Sequence, residues 1–183
     1  SKGPQGGRKL IPVNVITGFL GSGKTRLLRH LLATPEFADC AVLINEFGEI
    51  GLDHRLIERV EGDLVLLQSG CICCTIRSDL SETIRALWGR RERGEVMPFR
   101  RLAIETTGLA DPTPILATIM SETVIRHHFR LGNVVTTVDA VNGAGQRLRQ
   151  PEWLKQVAVD GDPRRLGETL KVLVATKAAD NTG

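Results

Sequence analysis

An α/β fold, with a mainly parallel sheet flanked by helices, is predicted by three observations. Apolar, β-branched segments alternate with helical patterns along the chain. The strand segments are continuously apolar rather than alternating, as strands covered on both faces are. The first strand also runs straight into a glycine-rich segment that opens a helix, which is the layout of a phosphate-binding loop.

The elements follow in order. Residues 11–17 read as a strand, carrying Val13, Val15 and Ile16. Residues 24–33 read as a helix with Leu27, Leu28, Leu31 and Leu32 along one side. Residues 41–44 and 64–67 are short buried strands. Residues 78–88 have helical spacing in Leu80, Ile84, Leu87 and Trp88, with Ser78 and Asp79 as cap residues. Residues 101–104 form another strand. Asp111 then caps a helix with Pro112 in its first turn, where a missing N–H costs nothing. Residues 134–138 and 171–175 complete the strands.

The chain has 183 residues, one domain's worth, of which 42% are hydrophobic, enough to bury a core. Residues 1–9 read as a polar, Gly-rich leader, and 10–183 as one domain whose end diverges or is truncated from about residue 160. The formal charge of +3, from 24 basic and 21 acidic side chains, is too even for a nucleic-acid surface. The densest basic patch, Arg90-Arg91-Glu92-Arg93, reads as a solvated loop, and His127-His128 as surface. No apolar run approaches the roughly 20 residues of a membrane span. Three of the four cysteines crowd into four positions, too close for a disulfide scaffold, so a cytoplasmic, thiol-bearing protein is expected.

Gly18-Phe19-Leu20-Gly21-Ser22-Gly23-Lys24-Thr25 matches GxxxxGKT in full. Gly18, Gly21 and Gly23 let the backbone wrap close to phosphates with its N–H groups, that of Ser22 included, turned inward. The helix N-terminus adds its positive dipole end. Lys24 supplies a point charge to the β- and γ-phosphates, from a side chain expected to be exposed, and Thr25 a hydroxyl to Mg²⁺. A P-loop NTPase follows. Its Mg²⁺ needs a carboxylate at a neighbouring strand end, which Glu105 offers, and Gly108 stands at the spacing of a γ-phosphate sensor.

Cys71-Ile72-Cys73-Cys74 is a thiolate cluster suited to Zn²⁺, Co²⁺ or Cu⁺. A helix beginning just beyond would favour thiolate. Cys71 and Cys73, two apart in an extended segment, project to one side, and Cys74 reaches the same ion only if the chain turns. Cys40 opens a buried strand and reads as a small apolar residue. With no second pair of cysteines for a closed site, further ligands must come from water, a partner or nearby residues. Among these the loop after the second strand offers Glu46, Glu49 and His54. A redox pair, or cysteines without a ligand, are the alternatives.

GFLGSGKT, INEFGEIGLD, GCICC, IETTGLADP and VVTTVDAVNG, in that order, resemble the CobW family of GTPase metallochaperones over residues 11–158. The resemblance implies that residues 21–25 bind the phosphates of GTP or GDP, that Glu105 serves Mg²⁺, and that Cys71, Cys73 and Cys74 bind the metal. It also implies delivery of zinc, cobalt or nickel to a client metalloprotein. The family reads guanine with Asn/Ser/Thr-Lys-x-Asp. Here Thr176, Lys177 and Asp180 stand one residue too far apart, so a weakened guanine preference is expected. No glutamine after Gly108 and no assignable arginine finger predict slow hydrolysis. A small-molecule phosphotransferase and a non-hydrolysing metal-binding module are the competing readings.

Overall fold

The computed structural model describes residues 9–18, 22–45, 51, 55, 57–76, 79–106, 112–139 and 170–175. The strands are β1 (Ile11–Gly18), β2 (Cys40–Ile44), β3 (Ile57–Glu61), β4 (Leu64–Leu67), β5 (Ile72–Thr75), β6 (Arg101–Glu105), β7 (Phe129–Asp139) and β8 (Leu170–Ala175). The helices are α1 (Lys24–Leu32), α2 (Leu80–Glu92), α3 (Thr113–Ser121) and α4 (Thr123–His128).

All eight strands join one sheet in the order β3-β4-β5-β2-β6-β1-β7-β8. From β5 to β8 every pairing is parallel. β3, β4 and β5 form an antiparallel meander at the other edge. Strand β1 is thus central, flanked by β6 and β7, and its last residue delivers the chain to the phosphate loop.

Continuous apolarity is explained by burial on both faces. In β1 and β2, Val13, Val15, Ala41 and Leu43 turn to the face covered by Ile84 and Leu87 of α2, Leu116 and Ile119 of α3 and Ile125 of α4. Ile16, Val42 and Ile44 turn to the face covered by Leu28 and Leu32 of α1. At roughly 1.5–3 kcal/mol for each large side chain, these two layers supply most of the driving force for folding.

Several expectations are corrected. The cysteine segment, read as extended, is a full strand of the sheet, its side chains alternating between two apolar layers. The edge strand β3 and the short helix α4 carry too little apolar pattern to be read from sequence. Arg90 and Arg91 end α2 rather than lying in a loop. There Arg90 pairs with Asp63 at 3.7 Å, and Arg91 donates to the Phe99 carbonyl at 3.1 Å. His128 stacks on Trp88 with centroids 4.2 Å apart, while His127 is exposed as expected. Asp79 does cap α2, accepting from the Glu82 amide. Ser78 and Asp111 lie outside the described residues.

Candidate functional site

The chain leaves β1 at Gly18 with φ +142° and enters α1 through Gly23 at φ +95°. Both are backbone states that side chains rarely adopt. Gly18 has a second reason to be glycine. A Cβ there would stand 2.4 Å from Thr137 Oγ1, 2.5 Å from the Thr137 carbonyl and 2.7 Å from Ser22 Oγ. The register explains this crowding, since Gly18 is directly opposite Thr137 on β7.

Thr137 was not singled out from sequence, yet it ties the loop to the sheet. Its hydroxyl lies 2.6 Å from Ser22 Oγ and donates to the Thr17 carbonyl at 3.3 Å. Both hydroxyl groups are buried. The signal available was the Thr136-Thr137 pair interrupting the valines of β7; the Ser22 partner stands 115 residues away in sequence.

At the start of α1, Lys24 donates from Nζ to the Gly18 carbonyl at 2.6 Å, folded back over its own loop. It is 7% exposed, against the expectation of an exposed side chain, with its ammonium turned onto the Gly18 carbonyl. Thr25 donates from Oγ1 to Glu105 Oε1 at 3.1 Å. Glu105 is buried and ends β6, the neighbour of β1. The Thr106 amide then donates to the Ile16 carbonyl at 2.9 Å, fixing that strand end beside the loop. One ammonium, one hydroxyl and one carboxylate therefore converge at the C-terminal edge of the sheet, where ligands of open α/β folds bind. The first turn of α1 carries no acidic residue to oppose an anion. This donor set fits a phosphate chain with Mg²⁺: the hydroxyl and carboxylate suit a hard cation, and the ammonium a phosphate oxygen.

The cysteines are arranged differently. Cys71 and Cys73 face the α1 layer together with Cys40, as the two-residue spacing predicts. Cys74 faces the opposite layer, because β5 continues through Thr75 without the turn that would bring it round. There it lines a cleft of about 290 Å³ with Asp63, Glu82 and Arg90. All three motif cysteines are buried, and their thiols are pushed up. A side-chain hydrogen bond with Cys40 is the main cause for Cys71, with burial next. Burial leads for Cys73 and for Cys74, the latter pushed up to about 12. The expected help from a helix N-terminus is absent, since α2 begins only at Leu80, beyond the short reach of a helix end. Among the described residues no three or more of His, Cys, Asp and Glu are gathered to hold a metal.

The cysteine segment also does not share the phosphate loop's edge of the sheet. β5 is parallel to its neighbour β2, and Cys71 precedes it, so that residue lies at the N-terminal edge. Cys73 is level with Val42 and Ala103, two residues short of Glu105 and two strands away. That is about 7 Å along the sheet and about 10 Å across it. Gly21, Glu46, Glu49, His54, Gly108, Thr176, Lys177 and Asp180 lie outside the described residues.

Fold and loop together define a P-loop nucleotide-binding domain. The family model "CobW/HypB/UreG, nucleotide-binding domain" matches residues 12–163, and the chain belongs to that family. It is 41% identical over 140 residues to the "Zinc chaperone YjiA" of Escherichia coli K12, covering 76% of this chain and 43% of that protein. It is 36% identical over 138 residues to the "Zinc-regulated GTPase metalloprotein activator 1" of Schizosaccharomyces pombe, covering 72% and 32%. The crystal structure of Zn(II)-bound YjiA GTPase from E. coli superposes with a TM-score of 0.64 at 34% identity, covering 96% of this chain and 60% of that one. The chain thus spans about two fifths of the length of YjiA.

Proposed function

We propose that residues 10–183 form the nucleotide-binding unit of a GTP-dependent zinc or cobalt chaperone, acting in the cytoplasm and delivering its ion to a client metalloprotein. The observation that carries the nucleotide half is the convergence of Lys24, Thr25 and Glu105 at the end of β1. Thr25 and Glu105 would hold Mg²⁺, which neutralises charge on the phosphates when bound. Lys24 exchanges the Gly18 carbonyl for phosphate oxygens. Gly21, Ser22 and Gly23 line the phosphates, and Gly108 senses the γ-phosphate. Thr176, Lys177 and Asp180 read guanine with reduced stringency. GTP is hydrolysed slowly to GDP, in keeping with the GTPase in the relatives' names.

The transition metal is cargo, and we assign it to Cys71 and Cys73, with Cys74 or Glu46 joining on rearrangement. Support comes from the shared face of the first two thiols and from the zinc in the relatives' names. With β5 intact, one ion cannot reach sulfurs on both faces of the sheet. Recruiting Cys74 to an ion on Cys71 and Cys73 therefore requires β5 to move, and nucleotide acts by favouring one arrangement over the other. Linkage requires metal to change GTP affinity by the same factor.

Co²⁺ affinity measured with GTP·Mg²⁺, with GDP·Mg²⁺ and without nucleotide tests this reading, beside Cys71→Ser/Cys73→Ser. The expected result is a different affinity in the GTP state and loss of binding in the double variant. Three equal affinities would remove the coupling, and an unaffected double variant would remove the site.

A further inference from the structure

Cys40 lies outside the CxCC motif, yet it is the nearest sulfur neighbour that the structure gives Cys71. Strands β2 and β5 pair in parallel with Ala41 opposite Ile72, so Cys40 and Cys71 are the preceding rung of the same ladder. Both side chains turn into the α1 layer, and both residues are fully buried. Cys71 donates from Sγ to the Cys40 carbonyl at 3.0 Å. Adjacent strands stand about 4.8 Å apart, inside the roughly 4.4–6.8 Å between Cα atoms that a disulfide spans.

The surroundings hold the pair in place. The Arg100 amide donates to the Asp39 carbonyl at 2.8 Å, and Arg101 Nε lies 2.8 Å from Asp39 Oδ1, pinning the start of β2 to β6. The turn between β4 and β5 is closed by the Leu67 amide on the Cys71 carbonyl at 3.0 Å and by the Gly70 amide on the Leu67 carbonyl at 2.8 Å. Ser69 Oγ ties the same turn to the end of α1, donating to the Leu32 carbonyl at 2.7 Å. Gln68 in this turn is exposed and Gly70 half-buried, so lifting the turn opens Cys71 first.

We propose that Cys40 and Cys71 form a reversible disulfide that removes Cys71 from metal binding. The metal consequence rests on the function proposed above; the disulfide itself does not. The oxidant is a low-molecular-weight disulfide such as glutathione disulfide. When the turn opens, the Cys71 sulfur attacks it, breaking its S–S bond and releasing one thiol. The Cys40 sulfur then attacks the mixed disulfide at Cys71, forming the Sγ–Sγ bond and releasing the second thiol. The two cysteines lose two electrons and two protons, and the oxidant is reduced to two thiols. Burial slows the exchange, whereas the fixed juxtaposition of the sulfurs favours the product at equilibrium. A metal-bearing Cys71 is protected, and an oxidised one is closed to metal. The pair lies at the opposite edge of the sheet from Lys24, so nucleotide binding stays as it was.

The experiment equilibrates the chain in glutathione buffers from reduced to oxidised, blocks free thiols and maps peptides by mass spectrometry. Co²⁺ and GTP affinities are measured at both ends. The expected result is one intramolecular Cys40–Cys71 cross-link, Co²⁺ affinity lower by roughly ten- to a hundredfold, and unchanged GTP affinity. Cys40→Ala and Cys40→Val should bind Co²⁺ normally and lose the sensitivity to oxidation. Four free thiols after equilibration, or a bond joining any other pair, would overturn the proposal. So would an oxidation response that survives both Cys40 replacements in folded protein. If the reduced chain bound no Co²⁺, the metal reading would fail, and the peptide map would still decide the pair.

Discussion

The phosphate loop and the cysteine segment occupy one sheet, but they are prepared for binding to different degrees. At the end of β1, the positive-φ backbone at Gly18 and Gly23 is already in place, Lys24 already sits on the Gly18 carbonyl, and Thr25 already meets Glu105. A ligand there replaces internal contacts of similar kind. At β5 the sulfurs are divided between two faces, buried and held as thiols. A ligand there must first undo core packing. The contrast separates a preorganised site from one whose occupation is coupled to a change of fold.

The largest expected effect comes from filling the tightest point of the prepared region. Gly18→Ala places a methyl within 2.7 Å of Ser22 and Thr137, at a φ of +142°. Because two of those three contacts belong to β7, the loop or the strand must shift. A loss of about 3 kcal/mol in folding stability is expected, from strain and overpacking together. Urea denaturation checks it. A variant as stable as the wild type would mean that the loop is not held rigid against β7.

Lys24→Ala comes next. It removes the only ammonium that the described residues direct at Gly18, and with it a charge-assisted contact to phosphate. About 2–3 kcal/mol of GTP·Mg²⁺ affinity should disappear, roughly thirty- to a hundred-and-fifty-fold. Equilibrium binding of labelled GTP measures it, and undiminished affinity would break the assignment of the prepared region.

The two regions also differ in how much sequence revealed. The phosphate loop occupies eight contiguous positions between a strand and a helix, so local reading sufficed. Glu105 was found because the Mg²⁺ of a phosphate loop needs a carboxylate at a neighbouring strand end, and the Thr25 hydroxyl does donate to it. Thr137 escaped because its role depends on the register of β7 against β1, which no local pattern encodes. The cysteines were legible in part. Their spacing puts Cys71 and Cys73 on one face and leaves Cys74 on the other, since no turn intervenes in β5. The cysteines lie away from the phosphate loop's edge because β4 and β5 form a hairpin, which puts Cys71 at the beginning of its strand.

Titration sharpens the contrast further. A buried thiol whose folded pKa lies above its unfolded value of about 9 is held neutral by the fold, as Cys74 is, pushed up to about 12. Unfolding then releases protons, so stability is complete below pH 9 and falls as pH rises towards 12. The slope is about 1.4 kcal/mol per pH unit for each such thiol. Urea midpoints between pH 8 and 10.5 should show it, and Cys74→Ala should reduce it by one thiol's share. Metal binding moves the same protons. Co²⁺ affinity should therefore rise with pH, with proton release visible by calorimetry in buffers of different ionisation enthalpy. Affinity independent of pH would argue against thiolate ligands.

The smallest effect concerns how the prepared region is held. Thr137 bridges Ser22 Oγ at 2.6 Å and the Thr17 carbonyl at 3.3 Å, joining β7 to the phosphate loop through one hydroxyl. Thr137→Val keeps the branched shape and deletes that hydroxyl. Ser22 is buried, so its own hydroxyl loses its 2.6 Å partner. An unmet buried hydroxyl costs about 1–3 kcal/mol, but Ser22 can rotate towards a bound phosphate and recover part of it. The expected outcome is a loss of about 1 kcal/mol in stability without nucleotide, and a smaller loss with GTP·Mg²⁺ present. Thr137→Ser, which keeps the hydroxyl, should restore most of the difference. Thermal unfolding of the three proteins with and without nucleotide makes the comparison. If valine and serine behaved alike, the loop would owe its shape to Gly18, Gly23 and Lys24 alone.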